Sequence, residues 1–173
     1  MAVLPILKYP DPILLQEAEA INQIDDDIKT LAEDMVETMI DAPGAGLAAP
    51  QVGRSCRMIV VHNIDTEDIP YPMVLINPEI VIADGQQVYN EGCLSVEDLQ
   101  ADVVRAMDVR VKALDLDGRP LEIDASGHMA VVYQHEIDHL EGILFIDRIS
   151  RLKRDMYKRK IRKQMKKKQE EDS

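Results

Sequence analysis

The stretch QHEIDHLEG, residues 134–142, puts two histidines four apart with a glutamate directly after the first. Ser126 ahead of it is of a type that caps helix starts, and Gly142 behind it of a type that ends helices. The pattern therefore predicts a helix from about Gly127 to Leu140. On that helix Val132, His135, Glu136 and His139 fall at i, i+3, i+4 and i+7, so both imidazoles share one stripe with an apolar residue. A stripe of this kind has to face the interior. With 173 residues the chain can wrap one sizeable core around such a helix, and one compact domain is expected.

The remaining elements follow from periodicity. In DDDIKTLAEDMVETMIDAPG, Ile28, Leu31, Met35 and Met39 recur at helical spacing. Asp25 to Asp27 supply the N-terminal cap and dipole partners, and Pro43-Gly44 ends the helix. Extended stretches are predicted at RMIVVHN (57–63), MVLINPEI (73–80) and DVRVKALDLDGRPLEID (108–124), the last folded back at Asp117-Gly118. Strands in the middle with helices at both ends, and no regular βαβ alternation, give an α+β fold. Its small antiparallel or mixed sheets are expected to pack around the histidine-bearing helix.

With one Phe, five Tyr and no Trp, aliphatic side chains must build the core. No run of about 18 apolar residues is present, and Pro5 interrupts the N-terminal MAVLPILKYPDP, so neither a membrane span nor a signal peptide is expected and the cytoplasm is the expected compartment. Two cysteines, Cys56 and Cys93, are too few for a disulfide framework. The net charge of −12 is unevenly spread: residues 1–150 carry 9 Lys and Arg against 28 Asp and Glu, and residues 151–173 carry 11 against 4. A basic arm follows an acidic body.

Two histidines one helical turn apart can converge on one metal ion, and a glutamate beside the first can act as general base toward water there. The five letters also occur on ordinary solvated helices. EGCLS (91–95) offers a thiolate as a third ligand in Cys93, or a buried, inert cysteine. GAGLAAPQVG (44–53) reads either as a tight turn packed on the core or as a loop that lets a substrate backbone come close, with Gln51 as an amide donor for a developing oxyanion.

Taken together, residues 44–51, 91–95 and 134–142 resemble the peptide deformylases, which carry G-x-G-L-A-A-x-Q, E-G-C-L-S and Q-H-E-x-D-H-L-x-G in this order and at comparable separations. KYPDP and INPEI add to the resemblance, which spans residues 3 to about 165. It implies a metal-dependent hydrolase that removes the formyl group from N-formylmethionyl nascent peptides. The implied ligands are Cys93, His135 and His139, with water in the fourth position. The implied ion is Fe²⁺, replaceable by Zn²⁺ or Ni²⁺. Glu136 is implied as the base that takes a proton from that water, and the Gln51 side chain and Leu94 backbone N–H as oxyanion donors. Gly46 is implied to pair with the extended substrate, and Ala45, Tyr89, Glu91, His128, Val131 and Val132 to lie near the methionine pocket.

The chain departs from the family pattern after EGCLS. Glu97 stands where many relatives have proline, and Gln100 and Val104 replace residues that are basic or proline in many of them. Arg105 either pairs with Glu91 behind the cysteine or lies exposed on a strand. His128, where an apolar residue is usual, either rims the pocket or, as the favoured expectation, caps the helix start; His62 is expected to be structural. Residues 1–150 are expected to form the catalytic unit. Residues 151–173 are expected to form a basic helix with Leu152, Met156, Ile161 and Met165 in a broken apolar stripe. This arm is a solvated face or, by resemblance, a contact to ribosomal RNA. A monomer is expected. Two other readings are an impaired deformylase-like factor that binds ribosomes or RNA, and a redox module of Cys56 and Cys93. Against the second, the chain has no C-x-x-C.

Overall fold

The computed structural model describes residues 2–62 and 72–172. The first helix, α1 (Asp26–Asp41), begins where expected: the Asp25 carboxylate accepts the Ile28 N–H at 3.0 Å. Its buried face carries Ile28, Leu31, Met35 and Met39, the residues picked out by periodicity. Seven strands follow among the described residues: β1 (Gly46–Ala48), β2 (Met58–Val61), β3 (Met73–Asp84), β4 (Gln87–Cys93), β5 (Val96–Arg105), β6 (Asp108–Leu114) and β7 (Pro120–Ser126). They precede α2 (His128–Leu140) and α3 (Arg151–Asp172). The strands form an antiparallel sheet in the order β1-β2-β3-β6-β7 and a separate β4–β5 hairpin, which is the α+β arrangement expected.

Strand β2 shows how the large sheet is held. Its residues alternate in direction: Met58 and Val60 pack with Met35 and Met39 of α1, and Ile59 and Val61 pack with Tyr133, Ile137 and Leu140 of α2. The sheet is thus covered by a helix on each face, and α2 lies in the middle of the molecule. A third apolar cluster joins the β4–β5 hairpin to the end of the chain, with Val96 and Val103 packed on Leu144, Phe145, Ile146 and Tyr157.

Several expectations need correction. Ser126 does not cap α2. It belongs to β7, where its hydroxyl donates to Asp108 Oδ1 at 2.5 Å, and the N-cap is Gly127 at φ 61°, ψ −130°, a backbone turn open to glycine. Gly142 does end the helix region, at φ 73°, and a Cβ there would sit 2.8 Å from the Leu15 carbonyl oxygen. The strand stretch 57–63 begins at Met58 and reaches Val61; Asn63 lies outside the described residues. The hairpin of residues 87–105 was not foreseen as two strands, because its exposed face carries Asn90, Glu97, Asp98, Gln100 and Asp102. The apolar stripe of the tail is also different. Leu152 and Met156 are 68% and 58% exposed, whereas Tyr157 is buried and Ile161 packs beside it. One residue step along a helix turns the side chain by about 100°, enough to exchange Met156 for Tyr157 on the inward face.

Candidate active site

The turn of the β4–β5 hairpin brings Cys93 to α2. Cys93 ends β4 next to a register shift between Glu91 and Cys93, and pairs with Val96 across the turn. The Sγ of Cys93 and one nitrogen each of His135 and His139 lie within 4.8 Å of one another, with Cys93 Sγ 3.5 Å from His139 Nε2. One thiolate and two imidazoles at this spacing can share a single tetrahedral divalent ion. A second observation points the same way. Glu136 Oε1, 4.0 Å from His139 Nε2, is buried without a hydrogen-bond partner among the described residues, which leaves the centre short of a positive charge or donor.

A buried ionic chain orients His135. Its Nδ1 lies 2.8 Å from Glu91 Oε1, and because the carboxylate can only accept, the proton belongs on Nδ1 and Nε2 is turned to the centre. Arg105 donates to both oxygens of Glu91, at 2.8 and 2.9 Å, and through Nη1 to Asp138 Oδ2 at 2.6 Å. Asp138 also accepts from Arg148, at 2.5 and 2.8 Å. Burial alone would raise the Glu91 pKa, but the hydrogen bonds from Arg105 and His135 prevail and hold it at about 2. Arg105 is therefore in the paired position behind the cysteine, buried rather than exposed. Asp138 and Arg148 were not singled out from the sequence. Asp138 sits inside the motif, and Arg148 carries no local signal.

Glu136 is only 4% exposed, and burial pushes its carboxyl up to about 7, with Glu91 and Asp138 adding to the shift and His135 and Arg105 opposing it. A carboxyl that exchanges its proton near neutrality is suited to general acid and base work. Burial, with the charge of Arg105 adding to it, depresses the His139 pKa well below the ordinary value, which favours the neutral imidazole that a metal ligand requires. Gly46 makes room for Glu136: a Cβ at that position would lie 2.7 Å from both Cγ and Oε2 of the glutamate.

Gln51 is buried in the short 3-10 turn Ala49–Val52. Its Oε1 accepts the Ala48 N–H at 3.0 Å, so its Nε2 is aimed at Ser95 Oγ (3.1 Å) and Cys93 Sγ (3.7 Å). Ser95 and Lys8, whose Nζ donates to the Leu94 carbonyl at 2.5 Å, are contacts the sequence did not announce. A cavity of about 970 Å³ opens onto this centre. Ala45, Gly46, Leu94, Val131 and Val132 line it, as do Glu91, Gln51 and Glu136. His128 lines it as well and stacks on Tyr89, ring centroids 5.1 Å apart, so it rims the pocket instead of capping α2. His62 follows β2, and its backbone N–H donates to the Ala45 carbonyl at 2.9 Å. Both cysteines are free; Cys56 lies at a bridge with Glu19, its thiol pushed up by burial.

The family model described as polypeptide deformylase matches residues 3–155. The chain belongs to the polypeptide deformylase family. It is 50% identical to the peptide deformylase of Mesorhizobium japonicum over 164 residues, covering 94% of this chain and 93% of that one. It is 53% identical to that of Alkalilimnicola ehrlichii over 163 residues, covering 94% and 91%. The crystal structure of a peptide deformylase from Legionella pneumophila superposes with a TM-score of 0.87 at 45% identity, covering 96% of this chain and 98% of that one. The deformylase fold thus extends over the hairpin, α2 and most of the remainder.

Proposed function

We propose that this deformylase removes the formyl group from N-formylmethionyl ends of newly made polypeptides, with Cys93, His135 and His139 holding one divalent ion. The observation that carries the reading is the buried Glu136 carboxylate, its Oε1 without a hydrogen-bond partner among the described residues and 4.0 Å from His139 Nε2, beside a sulfur and two imidazole nitrogens within ligating distance of one another. Fe²⁺ is the ion we assign, with Zn²⁺ or Ni²⁺ able to replace it, since a thiolate with two imidazoles suits all three. When bound, the ion supplies Lewis acidity and a water that is nucleophilic at neutral pH.

The protein's own groups perform the rest. Glu136 accepts the proton that the attacking water loses and returns it to the peptide nitrogen as the C–N bond breaks, releasing formate and a free amine. The Gln51 Nε2 and the Leu94 N–H donate to the carbonyl oxygen as it gains charge. Gln51 arrives pre-aimed because Ala48 holds its other end. The methionine side chain sits against Val131 and Val132, with His128, Tyr89, Glu91 and Ala45 at the margins, and the Gly46 backbone pairs with the extended peptide. The reading of an impaired binding factor finds no support: Cys93, Glu136, both histidines and the oriented Gln51 are all in place.

Cys93→Ser replaces a thiolate with a neutral hydroxyl. Metal affinity should fall at least about tenfold, the range found even for groups that only support a ligand, and formate release from formyl-Met-Ala should fall with it. Competition against a chromophoric chelator measures the first. Full occupancy with unchanged turnover would reject the ligand assignment.

We assign residues 1–150 to catalysis and 151–173 to a basic helix that docks on ribosomal RNA in the cytoplasm, with the enzyme acting as a monomer. Among the described residues no helix is long and apolar enough to cross a membrane. Helix α3 is held to the body through Tyr157, whose hydroxyl donates to the Glu97 carbonyl at 3.1 Å, while its lysines and arginines remain exposed or half-exposed. Changing Lys158, Arg159, Lys160, Arg162 and Lys163 to Gln keeps that anchor. It should lower ribosome binding and flatten its salt dependence, because each phosphate contact contributes about 0.7–0.9 to the slope of log K against log salt. Sedimentation with ribosomes at graded salt tests this, and unchanged binding would leave α3 a solvated helix.

A further inference from the structure

The Gln51 amide and the Leu94 N–H sit on turns far apart in the chain, and one short segment, residues 7–9, ties the two turns together. The Leu7 N–H donates to the Gln51 carbonyl at 2.7 Å, and the Tyr9 N–H donates to the Ser95 carbonyl at 2.8 Å. Between them the Lys8 side chain reaches the same hairpin turn, its Nζ donating to the Leu94 carbonyl at 2.5 Å and lying 3.3 Å from Glu97 Oε1. Gln51 Nε2 completes the link through Ser95 Oγ at 3.1 Å. The segment is also braced from outside, where the Tyr9 ring lies 6.0 Å from that of Tyr157.

The turn is one that needs such support. Cys93 pairs with Val96, so Leu94 and Ser95 alone make the connection between β4 and β5. Two-residue hairpin turns ordinarily use glycine or asparagine at positive φ, because that backbone follows the twist of the strands. Leu94 and Ser95 are neither, and the non-glycine residues at positive φ among the described residues are Asn77 and Asp98. Contacts to the carbonyls therefore set the shape of this turn more than its own residues do.

We propose that Lys8 is a positioning residue, whose ammonium holds the Leu94 carbonyl so that the Leu94 N–H and the Gln51 amide converge on one formyl oxygen. This rests on the deformylase reading of the same site. The N–H and the carbonyl of Leu94 flank one Cα, so two torsions fix one against the other. The bond from Tyr9 to Ser95 is made by backbone and survives any side chain at residue 8, whereas the bond to Leu94 belongs to Lys8 itself.

The test compares Lys8→Met and Lys8→Arg with the wild type in nickel-loaded full-length enzyme, with formate release from formyl-Met-Ala as the readout. Methionine keeps an unbranched stem and loses the donor; arginine keeps a donor. Because loss of a whole oxyanion donor lowers kcat about 10²–10³-fold, Lys8→Met, which only loosens one, should lower it about tenfold. KM should stay within about threefold, since the interaction gains strength in the transition state, and metal content should not change. Lys8→Arg should restore kcat to within about threefold of wild type. In zinc-loaded enzyme with isotopically labelled leucine nitrogen, the Leu94 amide resonance should shift and broaden in Lys8→Met and stay in place in Lys8→Arg. Wild-type kcat in Lys8→Met, an unmoved Leu94 resonance in that variant, or a Lys8→Arg enzyme as slow as Lys8→Met overturns the proposal. Absence of formate from the wild type overturns instead the deformylase reading on which it rests.

Discussion

Replacing Glu136 by Gln is expected to lower turnover of formyl-Met-Ala about 10²–10⁴-fold, the usual contribution of a positioned general acid or base. The amide keeps the shape that fits beside Gly46, where a Cβ would lie 2.7 Å from the glutamate, so packing should be retained. It cannot accept a proton. Metal content, measured by elemental analysis, should stay at the wild-type level because Glu136 is not among the three residues that we assign as ligands. A variant with more than about a tenth of wild-type turnover would remove Glu136 from the proton-transfer role.

Arg105→Ala should be the most destabilising single change around the site. Arg105 and Glu91 are both buried, and their two hydrogen bonds at 2.8 and 2.9 Å leave no solvent to replace the lost partner. Removing one member of such a pair costs roughly 3–5 kcal/mol, because the other is left buried and uncompensated. Asp138 keeps Arg148, so the loss falls on Glu91 and, through it, on His135. Urea unfolding of the metal-free protein measures the cost, and a loss under about 1 kcal/mol would show that the pair is not what holds Glu91. The pH dependence provides a second check. The Glu91 carboxyl is held at about 2 in the folded protein against an ordinary 4.5, so the stability it adds is complete above pH 4.5 and drains away as the pH falls toward 2. In the variant, without the Arg105 hydrogen bonds that hold the carboxyl down against burial, this acid-side loss should shrink or disappear.

Much of this site could be read from residue spacing, for physical reasons that also explain what was missed. Histidines at i and i+4 must share a helix face, so His135 and His139 were placed together before any coordinates. The α1 cap at Asp25 and the buried stripe from Ile28 to Met39 follow from the same periodicity. Cys93 could be offered as a third ligand from its residue type, but only the resemblance chose that over an inert cysteine, because it lies 42 positions before His135 and nothing local fixes how the hairpin folds back. The start of α2 was misread because Ser126 is a good cap in isolation; in the fold its hydroxyl is taken by Asp108 across the β6–β7 pair and a glycine turn begins the helix. Tyr157 was overlooked among the cations of α3 because the regular spacing of Leu152 and Met156 is a stronger apolar signal than one aromatic residue. Tertiary contact with Glu97 and Tyr9 decides which face turns inward. The reach of Arg148 to Asp138 likewise depends on how the short turn Phe145–Arg148 folds beneath α2.

The most direct measurement of the central claim is metal removal and return. Enzyme stripped by a strong chelator and dialysed should release no formate from formyl-Met-Ala. One equivalent of Fe²⁺ under anaerobic conditions, or of Ni²⁺, should restore turnover in the wild type but not in Glu136→Gln, with one ion bound per chain in both. Full turnover by the stripped wild-type enzyme, or restored turnover in Glu136→Gln, would contradict the account of a single metal centre served by a glutamate base.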